Sequence, residues 1–312
     1  ILAYTYYGAR HTTAQKAFTD CAGMKGLKIR VPDVPAYRAT PEACGANPTP
    51  IAFAEVYLAL QNGTVDAQEK IRVPEECIVR GDLIQEVFGD SLAEGRLNEL
   101  PDKIILCGLN TDTFAANEVA LDRLRGEAKD YLGIDKVKDG TEADETHYPV
   151  EFLNSLTPSG MPPHKLTLKI GAIVMLLRNL DIKRGLCNGS RLRVLEMHRH
   201  VLKCQLLTGD AAGDVAMLPR IIFDSNEADL PVTFTRRQFP VRVAFAMTIN
   251  KSQGQTFGRV GVDLTRDVFS HGQLYVAFSR VRNLSSLRVL LPSRNVRTTN
   301  VVYKEVFTME TQ

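Results

Sequence analysis

The chain has 312 residues, a formal net charge of +2, and 44% hydrophobic against 24% charged residues. This composition excludes a disordered tail, a collagen-like rod and a disulfide miniprotein, and the length predicts two domains or one domain carrying an insertion. No apolar run nears the ~20 residues a membrane-spanning helix needs, so no membrane partner is expected. The chain opens on Ile1, which predicts a fragment of a longer sequence.

Charge is spread unevenly. Residues 75–151 carry 19 acidic and 8 basic side chains, whereas residues 240–304 carry 10 basic ones. A basic C-terminal part fits a phosphate or nucleic-acid site, and equally an Arg-rich surface helix. The six cysteines (Cys21, Cys44, Cys77, Cys107, Cys187 and Cys204) form no CxxC pair, which predicts a reduced, intracellular protein. Cys187, His198, His200 and Cys204 match no zinc-finger spacing, and the two histidines read as alternating residues of a strand.

Residues 1–50 hold clustered prolines (Pro32, Pro35, Pro41, Pro48, Pro50) without a helical or strand period. They read as an unassigned, poorly ordered or foreign lead segment. Residues 53–60 predict a short helix stopped by Asn62-Gly63. Residues 82–88 predict a second. Residues 103–107 make an apolar run of strand length, followed by a turn at 108–111 and a helix to about Leu124 with Phe114, Asn117, Leu121 and Leu124 on one stripe. Strand, turn and helix together are the βα unit of an α/β domain.

Residues 135–165 read as loop. Short strands separated by Gly turns then dominate 165–238, which predicts an all-β insertion. From Pro240 the α/β pattern returns, with one apolar strand over 241–249 and others at 260–264 and 287–291. The helix before the last strand has Ser270 as N-cap, Gln273 completing a capping box, and Phe269 with Leu274 as a hydrophobic staple. Leu274, Ala277, Phe278 and Val281 share its apolar face, while Gln273, Val276 and Arg280 lie off it.

Two features carry chemistry. The polar loop Asn250-Lys251-Ser252-Gln253-Gly254-Gln255-Thr256 follows a buried strand, at the sheet edge where open α/β sheets bind ligands. Its hydroxyls, amides and single Lys suit phosphate oxygens, although the string is short enough for a solvated loop. Arg280, held off a capped helix, has the planar guanidinium used to stabilise charge in phosphoryl transfer, or is simply an exposed helix Arg.

The blocks AFAMTINKSQGQTF, GVDL and VFSHGQLYVAFSRVR, in that order, resemble the last two blocks of superfamily-one DNA helicases of the PIF and Helitron branch. IILCGLNTDTFAANEVALDRL resembles an earlier block of that branch. The stretch from PVEFLNSL to RLRVLEM is similar to the Helitron form of its inserted β domain, and FAEVYLALQNGT with IRVPEE also looks Helitron-like. The resemblance spans roughly residues 50–307.

It implies an α/β fold: the second RecA-like domain of a helicase interrupted by a small all-β, SH3-like barrel. The implied division is 51–164 and 239–307 for the RecA-like parts, 165–238 for the barrel, and 308–312 for a tail. The implied function is the C-terminal part of an ATP-dependent 5′-to-3′ DNA helicase acting in replication, recombination, repair or Helitron transposition. The alternative is a catalytically dead relic that only binds single-stranded nucleic acid or serves as a scaffold.

By the same resemblance Arg280 is the arginine finger, and Gln253, Gly254 and Arg280 face ATP. Asn250, Lys251, Ser252, Thr256, Gln273, Tyr275, Ser279 and Arg282 face single-stranded DNA, and Asn188-Gly189 lies near its path. ATP and Mg²⁺ are the implied cofactors, and a first RecA-like domain in cis is an implied partner. The implied location is the nucleus, with the mitochondrion second. The sequence departs from the family in lacking GxxxxGK[ST] and an acidic pair closing an apolar strand; Asp144-Glu145 sits in a polar stretch. This chain is therefore expected to be inactive alone.

Overall fold

The computed structural model describes residues 28–31, 44, 47–50, 70–138, 148–225, 230, 232–292 and 295–301. The chain divides into two units, Ile1–Thr64 and Val65–Gln312. In the first, β1 (Lys28–Val31) and β2 (Asn47–Pro50) pair in parallel. The helix expected over 53–60, Asp144-Glu145 and the tail lie outside the described residues. Cys44 is disulfide-bonded, against the expectation of reduced cysteines, whereas Cys77, Cys107, Cys187 and Cys204 are free.

The second unit begins with β3 (Lys70–Arg72), β4 (Ile78–Val79), α1 (Leu83–Phe88), β5 (Lys103–Cys107) and α2 (Asn110–Arg123). Next come β6 (Lys129–Leu132), β7 (Ile134–Val137), α3 (Val150–Ser155), β8 (Lys165–Leu168) and β9 (Ile173–Leu176). After them run β10 (Arg191–Met197), β11 (Val201–Leu206), β12 (Val215–Pro219), β13 (Ile221–Asp224), β14 (Phe234–Gln238) and β15 (Val241–Val243). The unit closes with β16 (Ala246–Thr248), β17 (Arg259–Asp263), α4 (Gln273–Phe278), β18 (Leu287–Leu290) and β19 (Arg297–Thr299). Among the described residues no helix is long and apolar enough to cross a membrane.

Five strands form an all-parallel sheet in the order β16-β5-β17-β18-β4. β5 and β17 are buried along nearly their whole length, as parallel strands covered on both faces must be. α2 lies on β16 and β5, pinned by Asn117, whose Nδ2 donates to Ala246 O at 2.9 Å and whose Oδ1 accepts from Ala246 N at 2.8 Å. α1 lies on β17 and its neighbours, and Asp82 caps it by accepting from Ile84 N and Gln85 N. Burial opposes ionisation of Asp82, but Arg123 and those two amides hold its carboxyl below the usual range.

Gly261, in the middle of β17, lets α1 approach: a Cβ there would stand 2.6 Å from Val87 Cγ2 and 3.1 Å from Leu83 Cδ1. Gly261→Val is therefore expected to overpack this face and cost about 1–3 kcal/mol, read as a lower denaturant midpoint with an unchanged m-value.

The β region is larger than expected and begins earlier. β6 pairs with β8, and β7 joins β13 and β14 in a three-stranded antiparallel sheet, so strands start at Lys129 rather than 165. The expected loop over 135–165 holds β7 and α3 instead. A second antiparallel sheet runs β12-β11-β10-β9-β15. The apolar run expected as one strand over 241–249 is two: β15 pairs with β9 in the antiparallel sheet, and β16 pairs with β5 in the parallel one. A chain crossing between packed sheets stays apolar throughout, so hydropathy alone shows no break. His198 and His200 lie between β10 and β11, not within a strand.

One hydrophobic core runs through both sheet systems, with Phe88 and Phe245 edge-to-face at 5.8 Å. Arg191 of β10 reaches from the inserted sheet into the parallel-sheet region. It is 1% exposed, donates to Pro101 O at 2.7 Å, Lys103 O at 3.3 Å and Ala244 O at 3.4 Å, and stacks over Phe257. Burial pulls its pKa down to about 10, with Asp102 opposing.

Candidate functional site

The loop after β16 opens as a tight helical turn, Ile249–Ser252, with Ile249 and Ser252 buried. Ser252 Oγ donates to Ile249 O at 2.7 Å, so the hydroxyl closes the turn instead of facing solvent. Gly254 takes φ 82°, a left-handed conformation that glycine adopts without strain. Asn250, Lys251, Gln253 and Thr256 are exposed.

α4 packs against this turn, and Arg280 just beyond it fastens the loop. Arg280 Nη1 donates to Ser252 O at 3.2 Å and to Gln255 O at 2.9 Å, Nε donates to Val276 O at 2.8 Å, and Nη2 donates to Ser279 Oγ at 2.7 Å. A guanidinium has five N–H groups, so these bonds leave one on Nη2. Phe257 N also donates to Arg280 O at 2.9 Å. Arg280 is half-buried rather than exposed on the helix, and burial lowers its pKa while Tyr275 opposes the shift.

The expected start of α4 differs. Gly272, not Ser270, is the N-cap, and the helix starts at Gln273. Gln273 is 2% exposed, and its Oε1 accepts from Phe269 N at 3.1 Å. Phe269, expected as the staple, is 56% exposed. Gln273 and Ser252 are thus turned inward, away from any strand of nucleic acid. Tyr275 on α4 and Ser279 at its C-cap are half-buried, whereas before β10 Asn188 is exposed and Gly189 half-buried.

The expected site residues do not form one cluster. Thr256 and Arg282 line a cavity of about 220 Å³ with Asp102, at the starts of β5 and β17. Asn250 and Lys251 lie instead beyond the end of β16, beside the beginning of α2. There Lys251, Arg242, Asn110, Thr113 and Thr248 line a shared crevice. Partial burial, then the like charge of Arg242, lower the pKa of Lys251. Arg242 escaped sequence reasoning, although a lone cation inside the apolar run 241–249 was its signal. Its guanidinium lies 4.7 Å from the Phe114 ring centroid, and Nη2 donates to Met161 O at 2.7 Å.

Residues 151–197 match the family of the DNA helicase Pif1 2B domain. The ATP-dependent DNA helicase PIF1 of Xenopus laevis is 34% identical over 59% of this chain and 27% of its own length. The Homo sapiens protein of the same name is 35% identical over 59% of this chain and 26% of its own length. The chain thus spans about a quarter of the length of the curated helicases it matches. The crystal structure of Pif1 helicase from Candida albicans shares the fold with a TM-score of 0.50 at 25% identity, covering 66% of this chain and 48% of that one. Pif1 helicase from Bacteroides in complex with ADP-AlF3 and ssDNA gives a TM-score of 0.50 at 22% identity, over 74% of this chain and 53% of that one.

Residues 1–72 match a different family, the bacterial extracellular solute-binding proteins of family 7. A solute-binding protein of Roseobacter denitrificans is 46% identical over 22% of this chain and 21% of its own length. The stretch 53–64 falls inside this match, which corrects its assignment to the helicase resemblance.

Proposed function

We propose, from the premise that the chain is related to the Pif1 family of ATP-dependent DNA helicases, that residues 70–301 act as the second RecA-like domain of such an enzyme. The antiparallel insertion is taken as its SH3-like 2B element. The observation that carries this reading is Arg280, bonded across the loop 252–255 with one N–H left for a phosphate oxygen. ATP bound against this face would present its terminal phosphate to Arg280 and supply the leaving group for hydrolysis. The residues here fit a phosphate but not the metal: among the described residues no group of three or more His, Cys, Asp or Glu could hold an ion. Mg²⁺ and the nucleotide's remaining phosphates are therefore assigned to a first RecA-like domain. Lys251 and Asn250 are assigned to single-stranded DNA, and 5′-to-3′ movement with a nuclear role in replication, recombination, repair or Helitron transposition completes the reading.

A second reading is a single-strand-binding module without turnover. Both readings expect the chain alone to bind single-stranded DNA without hydrolysing ATP. With three or four phosphates contacted, log affinity is expected to fall against log salt with a slope of about −2 to −3, and Lys251→Ala to flatten it by about 0.7. Salt-insensitive binding would overturn the assignment. ATP hydrolysis restored by adding a Walker-A-bearing first domain separates the helicase from the module.

A further inference from the structure

Phe114, on one stripe of α2 with Asn117 and Leu121, is 39% exposed, whereas those two are buried. It lines a groove of about 280 Å³ between α2 and the ends of β8 and β15, together with Leu121, Thr157, Lys165, Thr167 and Arg242. The guanidinium of Arg242 sits over the ring, with Nε buried and unpartnered. Arg242 also lines the crevice beneath Lys251, so one cation joins the groove to the loop. The groove therefore pairs an exposed aromatic ring with positive charge continuing toward Lys251. Glu118 lines it as well and gives an acceptor for an exocyclic amine, while Lys165 is paired with Asp130.

We propose that this groove seats one base of a single DNA strand, stacked on Phe114, with the flanking phosphates on Arg242 and Lys251. Every base has a π-face, so stacking here is sequence-tolerant, and the groove's cations match the backbone charge. The proposal rests on the single-strand reading above and names the residue that holds a base rather than a phosphate.

The test measures binding of the intact chain to a fluorescent oligothymidylate across a salt series. Phe114→Leu keeps an apolar side chain but removes the ring. It is expected to weaken binding about fivefold or more, the low end of a lost stacking contact, with the salt slope unchanged. Phe114→Tyr is expected to bind as the parent does. Photo-crosslinking of the unmutated chain to DNA carrying 5-iododeoxyuridine is expected to place the adduct on Phe114, which keeps the test valid if a variant misfolds. Parental affinity in Phe114→Leu, or an adduct mapped away from the groove, overturns the groove while leaving the Lys251 reading standing. No binding by the intact chain overturns both.

Discussion

Arg236→Ala is expected to cost about 3–5 kcal/mol of folding stability, because it breaks a buried ion pair and leaves one charge uncompensated. Arg236 and Asp135 both have fully buried side chains. Nε donates to Asp135 Oδ1 at 2.8 Å and Nη2 to Asp135 Oδ2 at 2.7 Å, a planar two-pronged contact. The other three N–H groups donate to Leu153 O, Leu156 O and Pro162 O, at 2.8, 2.9 and 3.1 Å. Arg236 thereby satisfies carbonyls at the end of α3, where a helix leaves its last acceptors open. Its loss removes the side-chain donor from three carbonyls, of which Leu153 O keeps the Leu156 N–H, and leaves a carboxylate whose remaining neighbours are His164 and Asn154. A loss of that size is a large part of a domain's usual 5–15 kcal/mol. Chemical denaturation reads the effect, with the exposed neighbour Arg237→Ala expected within about 0.5 kcal/mol of the parent. Arg236→Lys is expected to recover little, since an ammonium cannot reproduce the fork.

Arg280→Ala, in a helicase completed by a Walker-A-bearing domain, is expected to lower ATP turnover by about 10³–10⁵, the range found for arginine fingers. The sequence alone leads to the expectation that single-strand binding would survive this change. The structure revises that: the same guanidinium holds Ser252 O and Gln255 O, so its removal loosens the loop that displays Lys251. Both turnover and single-strand affinity are expected to fall, with the larger loss in turnover. Arg282→Ala is the control. Arg282 shares its cavity with Asp102, at the starts of β5 and β17, and its loss is expected to leave turnover near the parent value. Steady-state ATPase rates and filter binding on the same preparations distinguish the two residues.

Much of the architecture was legible in the chain itself. The apolar strand at 103–107, the turn after it and the helix to Arg123 follow from local period and turn chemistry, and the structure has them as β5 and α2. The loop 249–256 and Arg280 stand out through the order of the blocks that hold them, since a polar loop or a helix Arg taken alone also fits a solvated surface. What local pattern could not decide was partnership. Arg236 and Arg237 are adjacent and chemically identical, yet one is fully buried and the other exposed, because only the pairing of β14 with β7 brings Asp135, 101 positions away, to one of them. Ser252 and Gln273 have the side chains of ligand contacts, but tertiary packing turned both inward to bond the backbone. Phe114 has the hydropathy of a core residue and was left partly open, because Asn117 rather than Phe114 pins α2 to β16. A sequence fixes what each residue can bond to. Which of those bonds forms depends on the long-range strand order, since a buried donor is stable only where the fold delivers an acceptor.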